Sequence, residues 1–281
     1  EAKGLYWIGD HGIRIETRMK AKYQRGKQSV HQYLKMTSIV NPHASIDFVA
    51  YDEDGTVLDE ASWPRVTDEL PRPVKDIKPH PHGLEIGTLQ RLLRDASAPS
   101  EGSGARTPLR YFLRNTFSAM SNSRCEEVIS LAGLDATRKP ASLKPDDVNS
   151  LLAAFSQVRL PSPPTDCLSP IEDLLIKKGL SKAIDSRFVS TVTREPRVTN
   201  GNPFQVEVGL IFGGDLPGDQ PIQILRFANR VPLMYQQGGC LLTKALESVD
   251  WKRYGLDHPG GRGIPKGPAA VLIHLASTNV Q

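Results

Sequence analysis

The sequence contains few cysteines and no long apolar run. Its 281 residues include three cysteines, which lie far apart at Cys125, Cys167 and Cys240. An odd number at such wide spacing argues against a disulfide framework and is typical of a reducing compartment. The longest apolar stretches, such as residues 269–276, are far too short to cross a bilayer. These absences favour a cytoplasmic protein without a membrane partner.

The first residues also contain neither a secretory signal nor an initiating methionine. Glu1-Ala2-Lys3-Gly4 leads directly into Leu5 without a secretory signal. No methionine begins the chain. We therefore expect a trimmed or fragmentary product.

The familiar catalytic and ligand-binding signatures are absent as well. The sequence has no GxxxxGK[ST] phosphate loop, no GxGxxG after a strand, no HExxH and no GxSxG. The glycine-rich residues 259–263 precede a predicted strand, so they lack the aligned N–H groups that hold a phosphate at a helix start. His80 and His82 stand between prolines with no cysteine or glutamate beside them, and we interpret them as turn residues. The sequence thus predicts no catalytic residue and no metal ligand here, and the cofactor-binding residues stay unknown.

The positive charge is concentrated at one end of the chain. The formal net charge is +4, and residues 1–30 hold seven lysines and arginines against three acidic residues, which accounts for the whole excess. Such a segment is suited to contact a polyanion. A solvated strand face explains the charge equally well.

The first 70 residues follow an α/β pattern. Apolar and charged residues alternate from residue 13 to 23, which predicts a strand with one buried face. Ser29 then caps a helix that ends at Asn41-Pro42. Residues 44–51 return as a strand. The predicted buried side of the helix carries Val30, Tyr33, Leu34 and Thr37.

Two proline-rich segments divide the chain. Residues 64–83 contain five prolines and predict an extended connector, because proline fixes φ and removes a hydrogen-bond donor. Residues 84–160 then show four helical apolar stripes, interrupted by a flexible loop at residues 97–107. Pro161-Ser162-Pro163-Pro164 forms the second boundary. We therefore predict domains at 1–70, 71–160 and 161–281.

The last domain is predicted as an α/β layer. A helix at residues 168–178 precedes three strands at 187–194, 204–212 and 222–229. A helix at 240–249 and a strand at 269–276 complete the order. The whole chain is therefore predicted as an α+β multidomain protein.

Two clusters combine cations with groups suited to nucleic acid. Cations neutralise phosphates, and neighbouring aromatic rings can pack against sugars. A tryptophan anchored in the core with incidental neighbours is the commoner explanation of the second cluster. The candidate DNA-binding residues are Lys22, Arg25, Lys27, Trp251, Lys252, Arg253 and Tyr254.

Several longer segments resemble the B subunit of type IIB DNA topoisomerases, the topoisomerase VI family. They are residues 41–44 (NPHA), 77–89 (IKPHPHGLEIGTL), 164–171 (PTDCLSPI), 224–233 (ILRFANRVPL) and 250–255 (DWKRYG). They span nearly the whole chain in family order. The resemblance implies the end of a GHKL-type ATPase sandwich at 1–70, an all-α helix-two-turn-helix insert at 71–160, and a transducer at 161–281. It also implies a left-handed crossover in the transducer, against the usual right-handed rule.

The resemblance implies function and partners too. In the family, two B and two A subunits form a heterotetramer that passes one DNA duplex through another and relaxes supercoils. ATP, with Mg²⁺, drives dimerisation of the B subunits, and the A subunits cleave DNA. A basic turn of the family falls here on Arg25-Gly26-Lys27-Gln28, and a WKxY element falls on Trp251, Lys252 and Tyr254. The implied partners are therefore double-stranded DNA, the A subunit of topoisomerase VI, and a second B subunit, at the nucleoid or in a nucleus.

The sequence departs from the family pattern at several points. The ATP-binding motifs are expected upstream of residue 1, so no cofactor is expected on this chain. Ile13 replaces a usual threonine and Gln28 replaces a second cation. The chain also ends at Gln281, before the expected phosphate-contacting lysine and long helix. We expect the fragment alone to be inactive. The alternative is a B-like scaffold without ATPase activity, acting with a DNA-cleaving subunit of the meiotic recombination type.

Overall fold

A computed structural model describes residues 12–96 and 107–280 of the chain. The described residues contain α-helices and two β-sheets, so the fold is mixed α and β. Three hydrophobic clusters provide the interior. The predicted mixed architecture is confirmed at this level, while the assignments to a GHKL sandwich and a helix-two-turn-helix insert stay predictions.

The first region consists of one helix and a hairpin. Helix α1, Val30–Val40, is capped by Ser29, whose hydroxyl accepts the Gln32 N–H at 3.2 Å. Strands β1, Ile46–Tyr51, and β2, Val57–Trp63, pair antiparallel around a turn at Gly55, whose φ of 81° suits glycine. The helix boundaries and β1 agree with the predictions. Strand β2 was not predicted.

Two predictions for this region are wrong. Residues 13–23 form no strand, and Ile13 and Ile15 are each more than 80% exposed. The alternating pattern is present, but a strand also needs a hydrogen-bonding partner, and none pairs with this segment among the described residues. The buried side of α1 is formed by Met36, Ile39 and Val40, whereas Val30 is 55% exposed.

The proline-rich connector is irregular, as predicted, but it is fastened along its length. The Val66 N–H donates to the Pro42 carbonyl at 2.9 Å, and the Ser169 hydroxyl donates to the Arg72 carbonyl at 2.7 Å. His80 is buried and its Nε2 lies 3.1 Å from the Pro161 carbonyl oxygen. The connector is therefore packed against the regions that it joins. His80 begins the short turn Pro81–Gly83, which agrees with its interpretation as a turn residue.

Four helices form the next region, as the apolar stripes predicted. They pack around an apolar cluster of buried residues between Leu89 and Val158, here called the helical core. Part of the predicted loop, residues 97–106, lies outside the described residues. The helices are α2, Ile86–Asp95; α3, Leu109–Thr116; α4, Asn122–Leu131; and α5, Pro145–Gln157.

The last region is built on a six-stranded sheet, in which short β4 also pairs with β5. The order along the sheet is β3-β5-β8-β6-β7, with β6 and β8 parallel and the other pairs antiparallel. The main strands agree with the predictions; β4 and β7 were not predicted. The strands are β3, Phe188–Thr193; β4, Arg197–Thr199; β5, Asn202–Phe212; β6, Gln223–Ala228; β7, Val231–Pro232; and β8, Ala269–Ser277.

Two helices accompany this sheet. Helix α6, Asp173–Ala183, begins five residues later than predicted. Pro170 disfavours a helical conformation at Ser169, and Glu172, directly before the helix, has a non-helical φ of 78°. Helix α7, Leu241–Glu247, lies in the crossover between the parallel strands β6 and β8. The left hand of that crossover stays a prediction.

Helix α1 shares a core with the sheet. Met36, Ile39 and Val40 belong to the same cluster as residues of α6 and of β5, β6 and β8, here called the joint core. Helices α1 and α6 approach closely at Gly179, where an added Cβ would lie 1.9 Å from the Ile39 carbonyl oxygen. The boundary at residue 70 thus separates segments of sequence whose side chains pack together. The three predicted domain limits stay predictions.

Candidate functional site

The first candidate cluster is a turn immediately before helix α1. We call residues 22–27 the basic turn. The Gly26 carbonyl accepts both the N–H and the hydroxyl of Ser29, at 3.1 and 2.8 Å. The same hydroxyl caps the helix, so the turn and the helix start form one unit. Lys22, Arg25 and Lys27 are exposed on it.

Asp59 on strand β2 contacts two residues of the basic turn, Tyr23 and Arg25. Its carboxylate accepts a hydrogen bond from the Tyr23 hydroxyl and lies 3.6 Å from Arg25 Nε. The Asp59 side chain is 8% exposed, whereas that of Arg25 is 68% exposed. The Tyr23 hydrogen bond, and the nearby Arg25 and His31, hold the pKa of Asp59 below its usual value despite burial. Asp59 is therefore charged at neutral pH and can fix the position of Arg25.

A groove of about 740 Å³ adjoins the basic turn. One wall carries Arg25, Lys27 and Lys35, and the other is formed by residues near β6, including Ile222 and Ile224. Burial, together with the charge of Arg25, lowers the pKa of Lys35. Burial is the larger cause of the lowered pKa, and repulsion from Arg25 is the smaller one. An anion placed among these cations would relieve that repulsion.

The second candidate cluster is the short 3₁₀ helix Trp251–Tyr254, here called the WKRY element. Trp251 is 7% exposed, packs in the third core cluster, and donates its indole N–H to the Leu246 carbonyl at 2.8 Å. Lys252, Arg253 and Tyr254 are exposed. The Tyr254 ring meets the edge of Trp251 at a centroid distance of 6.3 Å. Trp251 therefore anchors the element, while the other three side chains face solvent.

The cations of the two clusters differ in whether an acidic side chain already pairs with them. Arg253 Nε lies 3.1 Å from an Asp250 carboxylate oxygen, and Arg25 is paired with Asp59. Lys22, Lys27 and Lys252 have no ion pair or hydrogen bond with any side chain in residues 12–96 and 107–280. The lysines thus offer the least compensated positive charge.

The two clusters are anchored to opposite faces of the sheet, because α1 packs with Ala270 and Leu272 of β8, whereas Trp251 packs with Val271 and Ile273. Ile222, just before β6, lies in the core cluster that buries Trp251. Ile222 also lines the groove whose other wall carries Arg25 and Lys27. More than 220 residues separate the two clusters in the chain, and Ile222 is a residue that the groove and the Trp251 core cluster share.

A buried polar network went unrecognised in the sequence. Glu207 and His274 are both fully buried, and their Oε2 and Nδ1 atoms lie 2.7 Å apart. The Glu207 carboxylate also accepts the N–H groups of Ile171 and Glu172, each at 2.7 Å. Burial alone would raise the pKa of Glu207, but these hydrogen bonds and His274 outweigh it and lower that pKa. A histidine inside the apolar run of residues 269–276 was the available signal.

The described residues contain no cluster of metal-ligating side chains. No group of three or more His, Cys, Asp or Glu side chains that could hold a metal ion occurs in the described part of the chain. The glycine-rich residues 259–261 form a 3₁₀ turn that leads towards strand β8, as predicted, rather than towards a helix start. These residues therefore do not fit a phosphate-binding loop. No helix in the described ranges is long and apolar enough to span a membrane.

Comparison with known proteins gives a consistent family. Residues 163–281 match the family model described as topoisomerase VI B subunit, transducer. The chain is 49% identical over 275 residues to the B subunit of type 2 DNA topoisomerase 6 from Methanococcoides burtonii, covering 98% of this chain and 42% of that protein. Identity is 46% to the corresponding protein of Archaeoglobus fulgidus, with 98% and 43% covered, and 34% to that of Metallosphaera sedula, with 97% and 48% covered.

The chain spans less than half the length of these relatives. The match nevertheless runs along nearly all of its own residues and includes the sheet region as a recognised transducer. The resemblance found in the sequence is confirmed. The chain belongs to the topoisomerase VI B subunit family.

Proposed function

We propose that this chain is the part of a type IIB topoisomerase B subunit that contacts double-stranded DNA and relays conformational change to a DNA-cleaving A subunit. The observation that carries the proposal is that each of the two cationic elements is exposed and is anchored by a buried partner, Asp59 for the basic turn and Trp251 for the WKRY element. Family membership supplies the topoisomerase context. Relaxation of supercoils by duplex passage is the activity that we propose for the whole assembly.

ATP and Mg²⁺ belong to the proposal for the intact assembly, in which two B subunits dimerise and bind two A subunits. No chemical step is assigned to the described residues. We propose that α1, β1 and β2 close a GHKL-type fold and that α2–α5 are a helix-two-turn-helix insert. The sheet region is then the transducer that connects movement to the cleaving subunit.

The proposed DNA contacts are electrostatic. Lys22, Lys27 and Lys252 would neutralise phosphates, since nothing in the described chain compensates their charge. Arg25 and Arg253 would contribute from fixed positions, because Asp59 and Asp250 hold them. The exposed Tyr254 ring can pack against a sugar. Trp251 would act by positioning these groups.

The test is DNA binding by the full-length subunit over a series of salt concentrations. The variant Lys252→Glu/Arg253→Glu should reduce the salt slope by about two, since each phosphate contact to duplex DNA contributes about 0.9. The matched control is Lys177→Glu/Arg187→Glu, which makes the same charge change at two exposed residues of α6 and the approach to β3. The control should leave the slope unchanged.

Two results would contradict the assignment. If the slope of Lys252→Glu/Arg253→Glu equals that of the wild type, the WKRY element does not contact phosphates. If both double variants reduce the slope equally, binding follows overall charge and no localised site exists. A reduced slope in the first variant alone supports the proposed surface.

A further inference from the structure

The turn between β6 and β7 contains a side chain that contradicts local preference. Asn229 and Arg230 form a two-residue hairpin loop with φ values of 46° and 65°. Two positive φ values are what a type I′ turn requires, and asparagine followed by glycine suits it best. Arginine at the second position is unfavourable for the backbone. The hydrogen bonds of the Arg230 side chain therefore explain why arginine occupies this position.

The Arg230 side chain spans two separate segments. Nη1 donates to the Val40 carbonyl at 2.8 Å, and Nη2 donates to the Pro170 carbonyl at 2.9 Å. Val40 is the last residue of α1, so its carbonyl lacks a partner within the helix. Pro170 lies just before α6. One guanidinium thus ties the end of α1 to the entry of the sheet region.

The Arg230 backbone connects the same point to strand β8. Its N–H donates to His274 Nε2 at 3.0 Å. Because Nε2 accepts a hydrogen bond, the ring proton lies on Nδ1 and is donated to Glu207. Glu207 in turn accepts the amides of Ile171 and Glu172. The network therefore closes a loop of hydrogen bonds around the joint.

Asn229 fastens the other half of the turn to β8. Its side-chain amide donates to the Ser277 carbonyl and its Oδ1 accepts the Ser277 N–H, both at 2.9 Å. Lys182 adds a bond from α6 to the Ala44 carbonyl at 3.2 Å, just beyond α1. These contacts leave the segment after α1 held on several sides.

We propose that Arg230 is a positioning residue that couples helix α1 to strand β8, so that movement of the α1 side reaches the sheet instead of being absorbed at the joint. We call Arg230, His274 and Glu207 the joint latch. This inference rests on the relay in the proposed function, and it names the residues through which the relay passes. The latch holds α1, the α6 entry and β8 together as a single mechanical unit.

Arg226 provides a matched control. Arg226 is a buried arginine on β6, and its Nη2 donates to two carbonyls, those of Leu233 at 3.0 Å and Tyr235 at 2.9 Å. Both acceptors lie in the segment that directly follows the same hairpin. Loss of Arg226 bonds therefore affects this segment locally, whereas loss of Arg230 bonds separates distant segments.

The first test is hydrogen exchange in the full-length subunit, comparing wild type, Arg230→Lys, Arg230→Gly and Arg226→Lys. Lysine carries its donors on a single nitrogen and lacks the two-pronged guanidinium, and glycine suits the turn but removes the latch. We expect exchange at residues 37–44 and 270–277 to become about tenfold faster in Arg230→Gly, and less so in Arg230→Lys. Arg226→Lys should accelerate exchange at residues 231–236 alone.

The second test is the number of relaxation events per ATP hydrolysed by the assembled complex of B and A subunits. Arg230→Gly should lower this ratio about tenfold while ATP turnover persists, and Arg230→Lys should restore part of it. A purely structural role would lower both activities together and leave the ratio unchanged.

The outcomes separate the latch from the function. The latch proposal is wrong if hydrogen exchange at residues 37–44 is as slow in Arg230→Lys as in the wild type. It is also wrong if Arg226→Lys accelerates exchange at these residues by the same factor. An unchanged ratio in the Arg230 variants overturns it as well. If Arg230→Gly does not fold, Arg230→Lys decides both tests. A wild-type complex that neither hydrolyses ATP nor relaxes DNA would instead overturn the proposed function. The hydrogen-exchange experiment would still test the latch proposal, because it does not depend on activity.

Discussion

The helical core and the joint core are stabilised in different ways. The helical core buries apolar side chains from four helices that follow one another in sequence. The joint core draws on α1, α6 and three strands, and a fully buried glutamate and histidine lie beside it. In the first, the buried side chains are apolar. In the second, buried polar groups must also be satisfied by specific partners.

The helical core is therefore suited to act as a scaffold, and the joint core is suited to couple segments of the molecule. Apolar contacts are non-directional, so helices can adjust around a core with small losses. Hydrogen bonds from Arg230 and Glu207 are directional and fail when the segments shift. The joint core is therefore suited to hold α1 at one orientation against the sheet. The helical core only needs to remain folded.

The largest effect is expected from Phe155→Ala in the helical core. The Phe155 side chain is fully buried and its ring packs on Phe117 at a centroid distance of 5.5 Å. Its loss should lower the free energy of unfolding by about 3–5 kcal/mol. Hydrogen exchange should show the loosening in α2–α5 and not in β8. Tyr111→Ala, at a 61% exposed aromatic residue in the same region, should change stability by less than about 0.5 kcal/mol. Equal loosening of β8 would mean that the two cores unfold as one.

A smaller effect is expected from Gly179→Ala in the joint core. The new Cβ would meet the Ile39 backbone, which cannot rotate away, so α1 and α6 must separate. We expect a loss of about 3 kcal/mol in urea unfolding. Gly87→Ala in α2 is the matched control, because nothing lies within 4 Å of its added Cβ, and it should gain up to about 1 kcal/mol. Unchanged stability of Gly179→Ala would show that α1 does not pack closely on α6.

The smallest effect is expected from Glu207→Gln, and it should depend on pH. The folded-state pKa of Glu207 is below its ordinary value, so its stabilisation is present above the unfolded pKa and is lost as pH falls through the folded pKa. The variant should lose about 2 kcal/mol at pH 7, and the difference from wild type should shrink in acid. Urea unfolding at both pH values measures this. Glu60→Gln, at an exposed position, should show little difference at either pH. A pH-independent loss would mean that the Glu207 charge contributes nothing.

Regular helices and main strands could be predicted from the sequence because their signals are local. The Ser29 cap, the stripes of α2–α5 and the alternation in β5 each depend on neighbouring residues. The strand at residues 13–23 was predicted wrongly, since alternation reports a possible face but not a pairing partner. The α1 face was misassigned because its apolar positions do not identify which side meets α6.

The candidate surface was predicted in its residues but not in its arrangement. The cations at 22–27 and 252–253 are visible as clusters in the sequence. The burial of Trp251 and the support of the basic turn by Asp59 depend on tertiary contacts. The DNA-binding roles themselves stay predictions.

The sequence by itself determined the helices, the longer strands of the last region, the connectors and the family, because propensity, caps, prolines and long motifs act over short stretches of chain. Tertiary structure alone decided the joint. Arg230, Val40 and Pro170 are up to 190 residues apart, and the Glu207–His274 pair spans 67 residues. No local pattern encodes such pairs. They form when the sheet and α6 bring α1 against the β6–β7 turn, where a buried donor must find an acceptor.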